Sequence, residues 1–317
     1  MTDASPAEFP DESDEKGRWV RQDSAFRGRV TADGSSGFPA AAGRYHLYVS
    51  WACPWAHRAI LFRRLKGLED AIGMTVVDPI RDEKGWRFRE GENHGKDPVE
   101  GFNFLAEAYR ATDPDFDGRV TVPVLWDTVE RVVVNNESAE IIRMLNSEFD
   151  EWADPDAPDF HPPPLREEIE AVNDRVYRDV NDGVYKAGFA TTQEAYGEAF
   201  VALFETLGWL DDRLAAARWL VGNRQTEADW RLFTTLIRFD TVYYVHFKCN
   251  ERRIVDHPNL WPYLRDLYQQ PGVAGTVDFD HIKRHYYRTH RTLNPKGIVP
   301  RGPALDLDAP HERESLG

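Results

Sequence analysis

The feature that most constrains the fold is a strand-like run that ends near a cysteine, directly before a predicted helix. Tyr48 and Val49 close the run, and Cys53 precedes Pro54. Proline is favoured at the first helical position, so Cys53 is predicted at the N-cap. Free backbone N–H groups and the helix dipole stabilise an anion there, and cysteines at helix amino ends are often nucleophilic thiolates. A cysteine that merely fills a core, the commoner case, would need neither the proline nor the helix, so we interpret Cys53 as reactive.

Composition limits the kind of partner. The chain has 317 residues, which favours two domains, and a net charge of −15 with no basic stripe, which argues against nucleic acid or an anionic membrane. Its two cysteines, Cys53 and Cys249, are too few for a disulfide framework. Met1–Glu15 is acidic without an apolar signal core, and no run has the length of a membrane span. We expect a soluble cytoplasmic protein that acts on small molecules.

Hydrophobic periodicity in the first half predicts an ordered series of elements. The order is strand, helix, strand, helix, strand, strand, helix. The strands are predicted at Tyr45–Val49, Met74–Val77, Val122–Trp126 and Arg131–Val134, and the helices at Ala56–Leu65, Phe102–Tyr109 and Ser138–Leu145. A nucleophile that follows the first strand of such a series is typical of a thioredoxin-like domain.

The second half predicts helices alone, so the expected fold class is α/β plus all-α. We expect an N-terminal extension (1–44), a thioredoxin-like domain (45–149), a proline-rich extended linker (150–164), an all-helical domain (165–293) and a tail (294–317). Thr226 and Asp229 are placed to form a capping box, and later helices are expected over Leu260–Gln269 and Asp278–Arg288.

Cys53 has no neighbouring partner thiol. In Cys-x-x-Cys motifs the second cysteine resolves a mixed disulfide, and here Ala56 takes its place. Cys249, in the helical half, is the less favoured resolving thiol. An external small thiol is therefore expected, and glutathione is the first choice.

Two further patterns suit a tripeptide thiol. Val122-Pro123 is placed for a cis peptide bond that would let the Val122 backbone pair with an extended peptide. Glu137 and Ser138 open a helix, where Ser138 can receive a carboxylate and Glu137 can pair with an ammonium group. Each pattern alone also fits an ordinary strand entry or an ordinary N-cap.

Several motifs together resemble the Xi-class glutathione transferases, the glutathionyl-hydroquinone reductases. The resemblance runs from about Ser24 to the tail and is carried by residues 45–50, 53–58, 118–127, 136–143, 183–190 and 279–282. It implies the glutathione transferase fold, a homodimer, glutathione as cosubstrate and no metal.

The resemblance also implies roles for individual residues. Cys53 would be the nucleophile. The glutathione site would be lined by Trp86, Arg119, Val122, Pro123, Glu137 and Ser138. The acceptor site would use Tyr185 for proton exchange, with Tyr243 and Tyr286. Without the resemblance these tyrosines fit a core or an interface equally well, whereas Trp86, after a glycine in a polar loop, is not expected in the core.

Three alternatives remain open. An Omega-like thiol transferase or dehydroascorbate reductase would use the same monothiol without the tyrosines. The host thiol could instead be γ-glutamylcysteine, which shares the γ-glutamyl group, or mycothiol, which lacks it. A redox-regulated binding protein would keep the fold without turnover, although retention of Cys53, Pro54, Glu137 and Ser138 argues against it.

Overall fold

The computed structural model describes residues 12–316, which form two compact units. The first unit contains Gln22–Pro158 and Thr276–Arg291; the second contains residues 12–21, Asp159–Gly275 and 292–316. The predicted combination of an α/β part and a helical part is confirmed. The chain is divided differently from the expected boundaries, however, because the extension contributes to both units. The part of the extension before residue 12 lies outside the described residues.

A four-stranded mixed sheet forms the centre of the first unit. Two short strands, β1 (Val30–Thr31) and β2 (Phe38–Pro39), pair separately. The sheet itself contains β3 (Tyr45–Val49), β4 (Gly73–Val76), β5 (Val124–Asp127) and β6 (Val132–Asn135), in the spatial order β4-β3-β5-β6. β3 runs parallel to β4 and antiparallel to β5, and β6 runs antiparallel to β5. All five residues of β3 are buried.

Three helices accompany this sheet: α1 (Pro54–Leu65), α2 (Leu105–Thr112) and α3 (Ser138–Ser147). The predicted series of elements is confirmed, with shifted ends. α2 begins three residues later than expected, because the Glu107 carboxylate accepts the N–H groups of Asn103 and Phe104 and so fixes the start of the helix. β5 begins only after Pro123, which has no N–H to donate to a ladder.

Acid is expected to destabilise this sheet through His46. The ring is buried in β3 with Nε2 2.7 Å from Thr75 Oγ1, and burial lowers the pKa of His46 from 6.5 to about 4. The unfolded chain therefore takes up the proton first, so this contribution to stability is lost as pH falls from about 6.5 towards 4, by at most about 3 kcal/mol. Unfolding in denaturant at several pH values should show a shallower acid slope for His46→Gln than for the unmodified protein. Equal slopes would contradict the assignment.

The segment expected to be an extended linker is packed instead. Lys66 directly follows α1, and its Nζ lies 3.1 Å from Asp150 Oδ1. The Lys66 carbonyl accepts the N–H of Asp154 at 2.9 Å. Residues 150–158 therefore belong to the first unit. Phe160 is buried in the second unit, where its carbonyl accepts the N–H of Glu227. The proline run forms a short 3-10 turn at Pro163–Leu165. Proline content predicted the absence of a long helix but could not show these contacts.

The second unit is helical and, among its described residues, contains no β-strand. Its helices are α4 (Arg166–Val176), α5 (Gly183–Gly188), α6 (Gln193–Leu214), α7 (Glu227–Arg238), α8 (Tyr244–His246) and α9 (Leu260–Tyr268). Every residue of α7 is buried, as expected for a central helix. The predicted capping box of Thr226 and Asp229 is confirmed, and Asp229 also accepts the Tyr263 hydroxyl at 2.8 Å.

The last helix, α10 (Phe279–Thr289), returns to the first unit. We expected it in the helical domain. Its side chains instead bond to the long loop after β4: His281 Nε2 lies 2.8 Å from the Glu92 carbonyl oxygen, and His285 Nδ1 lies 2.7 Å from that of Pro79. Sequence periodicity identifies the helix but gives no information on which unit it contacts. No helix within residues 12–316 combines the length and apolarity needed to cross a bilayer.

Candidate active site

Cys53 occupies the predicted position at the amino end of α1. Its backbone is extended (φ −79°, ψ 123°), Pro54 is the first helical residue, and the side chain forms no cap hydrogen bond to the helix. The thiol is half-buried and lies 3.5 Å from the carbonyl oxygen of Val122. The sulfur is thus held beside the Val122-Pro123 loop at a helix end that favours negative charge.

The Val122-Pro123 peptide bond is cis, as expected. Thr121, which precedes Val122, is held by Tyr109. The Tyr109 hydroxyl donates to the Thr121 carbonyl at 2.8 Å and accepts from Asn136 Nδ2 at 3.1 Å. Complete burial raises the pKa of Tyr109, which keeps the phenol protonated as a donor. This network connects the loop beside Cys53 with the residues that open α3.

Glu137 and Ser138 begin α3. Glu137 is the N-cap and accepts the Ala139 N–H at 3.1 Å, and its other carboxylate oxygen accepts the Ser24 hydroxyl at 2.9 Å. Ser138 is buried, and its hydroxyl accepts Arg58 Nη1 at 3.2 Å. Since Arg58 is a buried residue of α1, it couples the helix that follows Cys53 to the helix that carries the predicted carboxylate site.

Trp86 is in the core, contrary to the expectation for a polar-loop residue. Its side chain is 4% exposed and stacks on His285 of α10, with ring centroids 5.0 Å apart and an interplanar angle of 17°. The Arg81 guanidinium lies 5.5 Å from the indole. The apparent loop is therefore anchored by the last helix. Arg119, also predicted for the thiol site, is half-buried in the loop before β5.

The three predicted tyrosines fall into two groups. Tyr286 is buried on α10 in the first unit, in edge contact with His285 and His290 at 5.2 and 5.5 Å between ring centroids. Tyr185 and Tyr243 lie in the second unit with their ring centroids 6.0 Å apart. The structure therefore brings Tyr185 and Tyr243 together in one aromatic cluster.

That cluster contains Trp19 and Phe247. Trp19 stacks on Tyr185 at 5.6 Å and donates its indole N–H to Glu12 at 3.0 Å, while Phe247 contacts Tyr185 and Tyr243 at 5.3 and 5.5 Å. The sequence pattern gives no indication that Trp19, in the N-terminal extension, lies near a site residue.

Irregular helical turns occur close to Tyr185 and at Tyr243. π-helical turns span Tyr177–Asn181, just before α5 and Tyr185, and Phe239–Tyr243. Such turns are rare and frequently occur at functional sites. Nothing in the apolar spacing of the sequence predicted either turn.

Five residues that support the predicted site were missed. They are Trp19, Ser24, Arg58, Tyr109 and Asn136. Each acts through a contact distant in sequence. Arg58 and Asn136 lie within segments that carry the family resemblance, but the sequence pattern indicated no role for either side chain. Within residues 12–316, no group of three or more His, Cys, Asp or Glu side chains could hold a metal ion.

Two sequence families match the chain. The glutathione S-transferase N-terminal domain matches residues 52–148, and the glutathione S-transferase C-terminal domain matches residues 193–266. The first match covers Cys53, Val122 and Ser138, and the second covers Tyr243.

Full-length relatives agree with these matches. The chain is 52% identical to the glutathionyl-hydroquinone reductase YqjG of Escherichia coli, over 94% of this chain and 93% of that protein. The structure resembles the glutathione-bound structure of YqjG with a TM-score of 0.89, covering 91% of this chain and 96% of that one. It also resembles the Xi-class glutathione transferase of Natrialba magadii, with 54% identity, a TM-score of 0.90, and coverage of 92% and 89%.

Identity at this level over almost the whole length, a matching fold and a cysteine at the start of α1 lead to one assignment. The chain belongs to the Xi class of the glutathione S-transferase family.

Proposed function

We propose that this protein is a glutathione-dependent reductase that removes glutathione from glutathionyl-hydroquinones, with Cys53 as nucleophile. One observation carries the proposal: a half-buried thiol stands at a helix amino end without a second cysteine in its motif. Cys249 is 0% exposed, and burial raises its pKa, so it is poorly suited to resolve a disulfide. The name of the relative YqjG supports this choice of substrate.

The first chemical step is attack of the Cys53 thiolate on the sulfur that joins glutathione to the ring. An S–S bond forms, the carbon–sulfur bond breaks, and its electron pair goes to the ring carbon, which takes up a proton. A keto tautomer of the ring makes this carbon a competent leaving group. The products are the hydroquinone and a Cys53–glutathione mixed disulfide.

The second step regenerates the thiolate. The thiolate of a second glutathione attacks the mixed disulfide and yields oxidised glutathione. The overall reaction consumes one glutathionyl-hydroquinone and one glutathione, and produces one hydroquinone and one glutathione disulfide. The reducing electrons come from glutathione.

Tautomerisation requires groups that donate and accept protons at the ring oxygens, and we assign this role to Tyr185, with Tyr243 and Tyr286. Phenol hydroxyls can serve as general acids and bases when they are positioned. The packing of Tyr185 and Tyr243 in one aromatic cluster supports a joint role for these two residues.

We propose that the thiol cosubstrate is glutathione and that the residues lining its site are Trp86, Arg119, Val122, Pro123, Glu137 and Ser138. The order of these residues along one thioredoxin-like unit supports the assignment, as does the glutathione-bound structure of YqjG. Glu137 uses its carboxylate in the helix cap and in the bond from Ser24, so an incoming ammonium group would join an existing network.

The variant Ser138→Ala is expected to weaken glutathione binding roughly 10- to 100-fold, since a hydrogen bond to a charged group contributes about 1.5–3 kcal/mol. Titration calorimetry with glutathione measures the change directly. Ser147→Ala is the matched control, because Ser147 lies at the other end of α3 and its hydroxyl donates to the Arg143 carbonyl one turn earlier in the same helix. Equal affinities for Ser138→Ala and the unmodified protein would remove Ser138 from the site.

A substrate and thiol panel tests the proposed function. Turnover should be high with a glutathionyl-hydroquinone and low with dehydroascorbate, and glutathione should support it better than mycothiol. The reverse substrate order would indicate an Omega-like thiol transferase. A preference for γ-glutamylcysteine or mycothiol would retain the chemistry and replace the cosubstrate.

We also propose a cytoplasmic homodimer, on the basis of the family resemblance. The protein has 36.5 kDa per chain. Sedimentation equilibrium should give twice this mass, and a single-chain mass at micromolar concentration would contradict the proposal.

A further inference from the structure

A cavity lies within the helical unit, between the 3-10 turn Ile254–Asp256, the start of α9 and residues 311–316 of the tail. Its volume is about 600 Å³, which is within the range of small-molecule sites. None of the residues assigned to the thiol or acceptor sites lines it. The cavity is therefore separate from the residues assigned to the proposed reaction.

Two unsatisfied donor groups line this cavity. His257 is 5% exposed, and neither ring nitrogen has a hydrogen-bond partner within residues 12–316. Arg265 has a buried Nε, again without a hydrogen-bond partner in the described part of the chain. Buried polar groups usually have partners, and leaving one unpaired is costly. Their presence beside a cavity points to an acceptor supplied by a ligand.

The acids near these groups are already engaged. Asp211 lies 3.8 Å from His257 Nδ1, but its carboxylate accepts the N–H groups of Asn259 and Leu260 at 2.9 and 2.8 Å. Asp256 forms a bidentate pair with Arg253.

The remaining charges at the cavity favour an anion. Arg252 and Arg265 have no carboxylate partner among the described ion pairs, whereas Glu312 is exposed. Arg313 also lines the cavity, but its guanidinium donates to the Leu214 and Ala217 carbonyls. In a protein with a net charge of −15, this is a local positive site.

The other walls are apolar and partly flat. Trp261 lines the cavity with the Arg265 guanidinium 5.3 Å from its ring, and Pro258, Pro262 and Leu316 contribute apolar surface. An aromatic ring could pack on such surfaces while its anionic group meets the arginines.

We infer that this cavity binds a small aromatic anion, a carboxylate or phosphate monoester, with Arg265 and His257 as donors to the anionic group. The binding is independent of the thiol chemistry at Cys53. Because residues of the C-terminal tail form one wall, the ligand would also hold the tail against α9.

Titration calorimetry with benzoate, phenyl phosphate and inorganic phosphate tests the inference. Both aromatic anions should bind, and Arg265→Gln should weaken binding by about tenfold or more. Arg224→Gln, an exposed arginine of the same unit that does not line the cavity, is the matched control and should bind normally. His257→Leu should also weaken binding of both aromatic anions.

Some outcomes would overturn the inference. They are no binding of either aromatic anion at millimolar concentration, equal affinity of Arg265→Gln and the control, or phosphate binding as tightly as phenyl phosphate. If Arg265→Gln does not fold, Arg252→Gln replaces it, because Arg252 is exposed and lines the same cavity.

Discussion

The Cys53→Ser variant is expected to lose glutathionyl-hydroquinone reduction by roughly three orders of magnitude or more, because a serine hydroxyl is not ionised near pH 7 and cannot form a mixed disulfide. The half-buried position and extended backbone of Cys53 accept a serine without a change in fold. Stopped-flow kinetics should show no release of hydroquinone in the first turnover. Intact-mass spectrometry should show no glutathione adduct.

The variant Cys249→Ala serves as the control for this experiment. Cys249 is buried, and its sulfur lies 4.0 Å from the Val184 carbonyl oxygen. Removing it should lower stability by about 1 kcal/mol through the small cavity it leaves, with turnover and the Cys53 adduct retained. Undiminished turnover in Cys53→Ser, or loss of the adduct in Cys249→Ala, would contradict the proposed roles of the two thiols.

The second large effect is expected for Tyr185→Phe. Loss of the hydroxyl should reduce kcat on glutathionyl-hydroquinones by about 10²- to 10⁴-fold, the usual contribution of a positioned general acid or base. Reduction of a simple glutathione mixed disulfide needs no proton transfer to a ring carbon and should be unaffected. The ratio of the two activities, measured with one enzyme preparation, separates loss of proton transfer from general damage.

The variant Tyr196→Phe is the matched control for Tyr185→Phe. Tyr196 lies on α6 of the same unit and donates its hydroxyl to the Lys248 carbonyl at 2.7 Å. This change removes one hydrogen bond and should leave both activities intact. If Tyr185→Phe retains full activity on glutathionyl-hydroquinones, the tyrosine mechanism is wrong and an Omega-like thiol transferase is the better description.

Local features of the first unit could be predicted from the sequence. The strand before Cys53, the helix after it and the Val122-Pro123 peptide depend on residues close together in the chain, as does the cap at Thr226 in the second unit. Proline geometry, capping and hydrophobic periodicity act over a few residues, so they are visible without tertiary structure.

Long-range contacts could not be predicted in the same way. Ser24 bonds to Glu137, 113 residues later, and α10 bonds to Pro79 and Glu92 across about 200 residues of chain. Trp86 shows the consequence, because its local sequence indicates an exposed loop and its stacking on His285 buries it. Cys53 and the predicted glutathione-site residues all lie in the first unit. The hydrogen bonds and ring contacts that support them could not be predicted from the sequence pattern.

The route of the chain has a consequence for engineering. The backbone passes from one unit to the other at four points within the described residues, after positions 21, 158, 275 and 291. Neither unit is therefore one continuous piece of sequence. Cutting the chain near residue 158 would separate α10 from the loop after β4, to which His281 and His285 form hydrogen bonds. It would also break the stacking of Trp19 on Tyr185. Exchange of the described parts of the two units between relatives therefore requires four splice points, and a single fusion joint would leave both units incomplete.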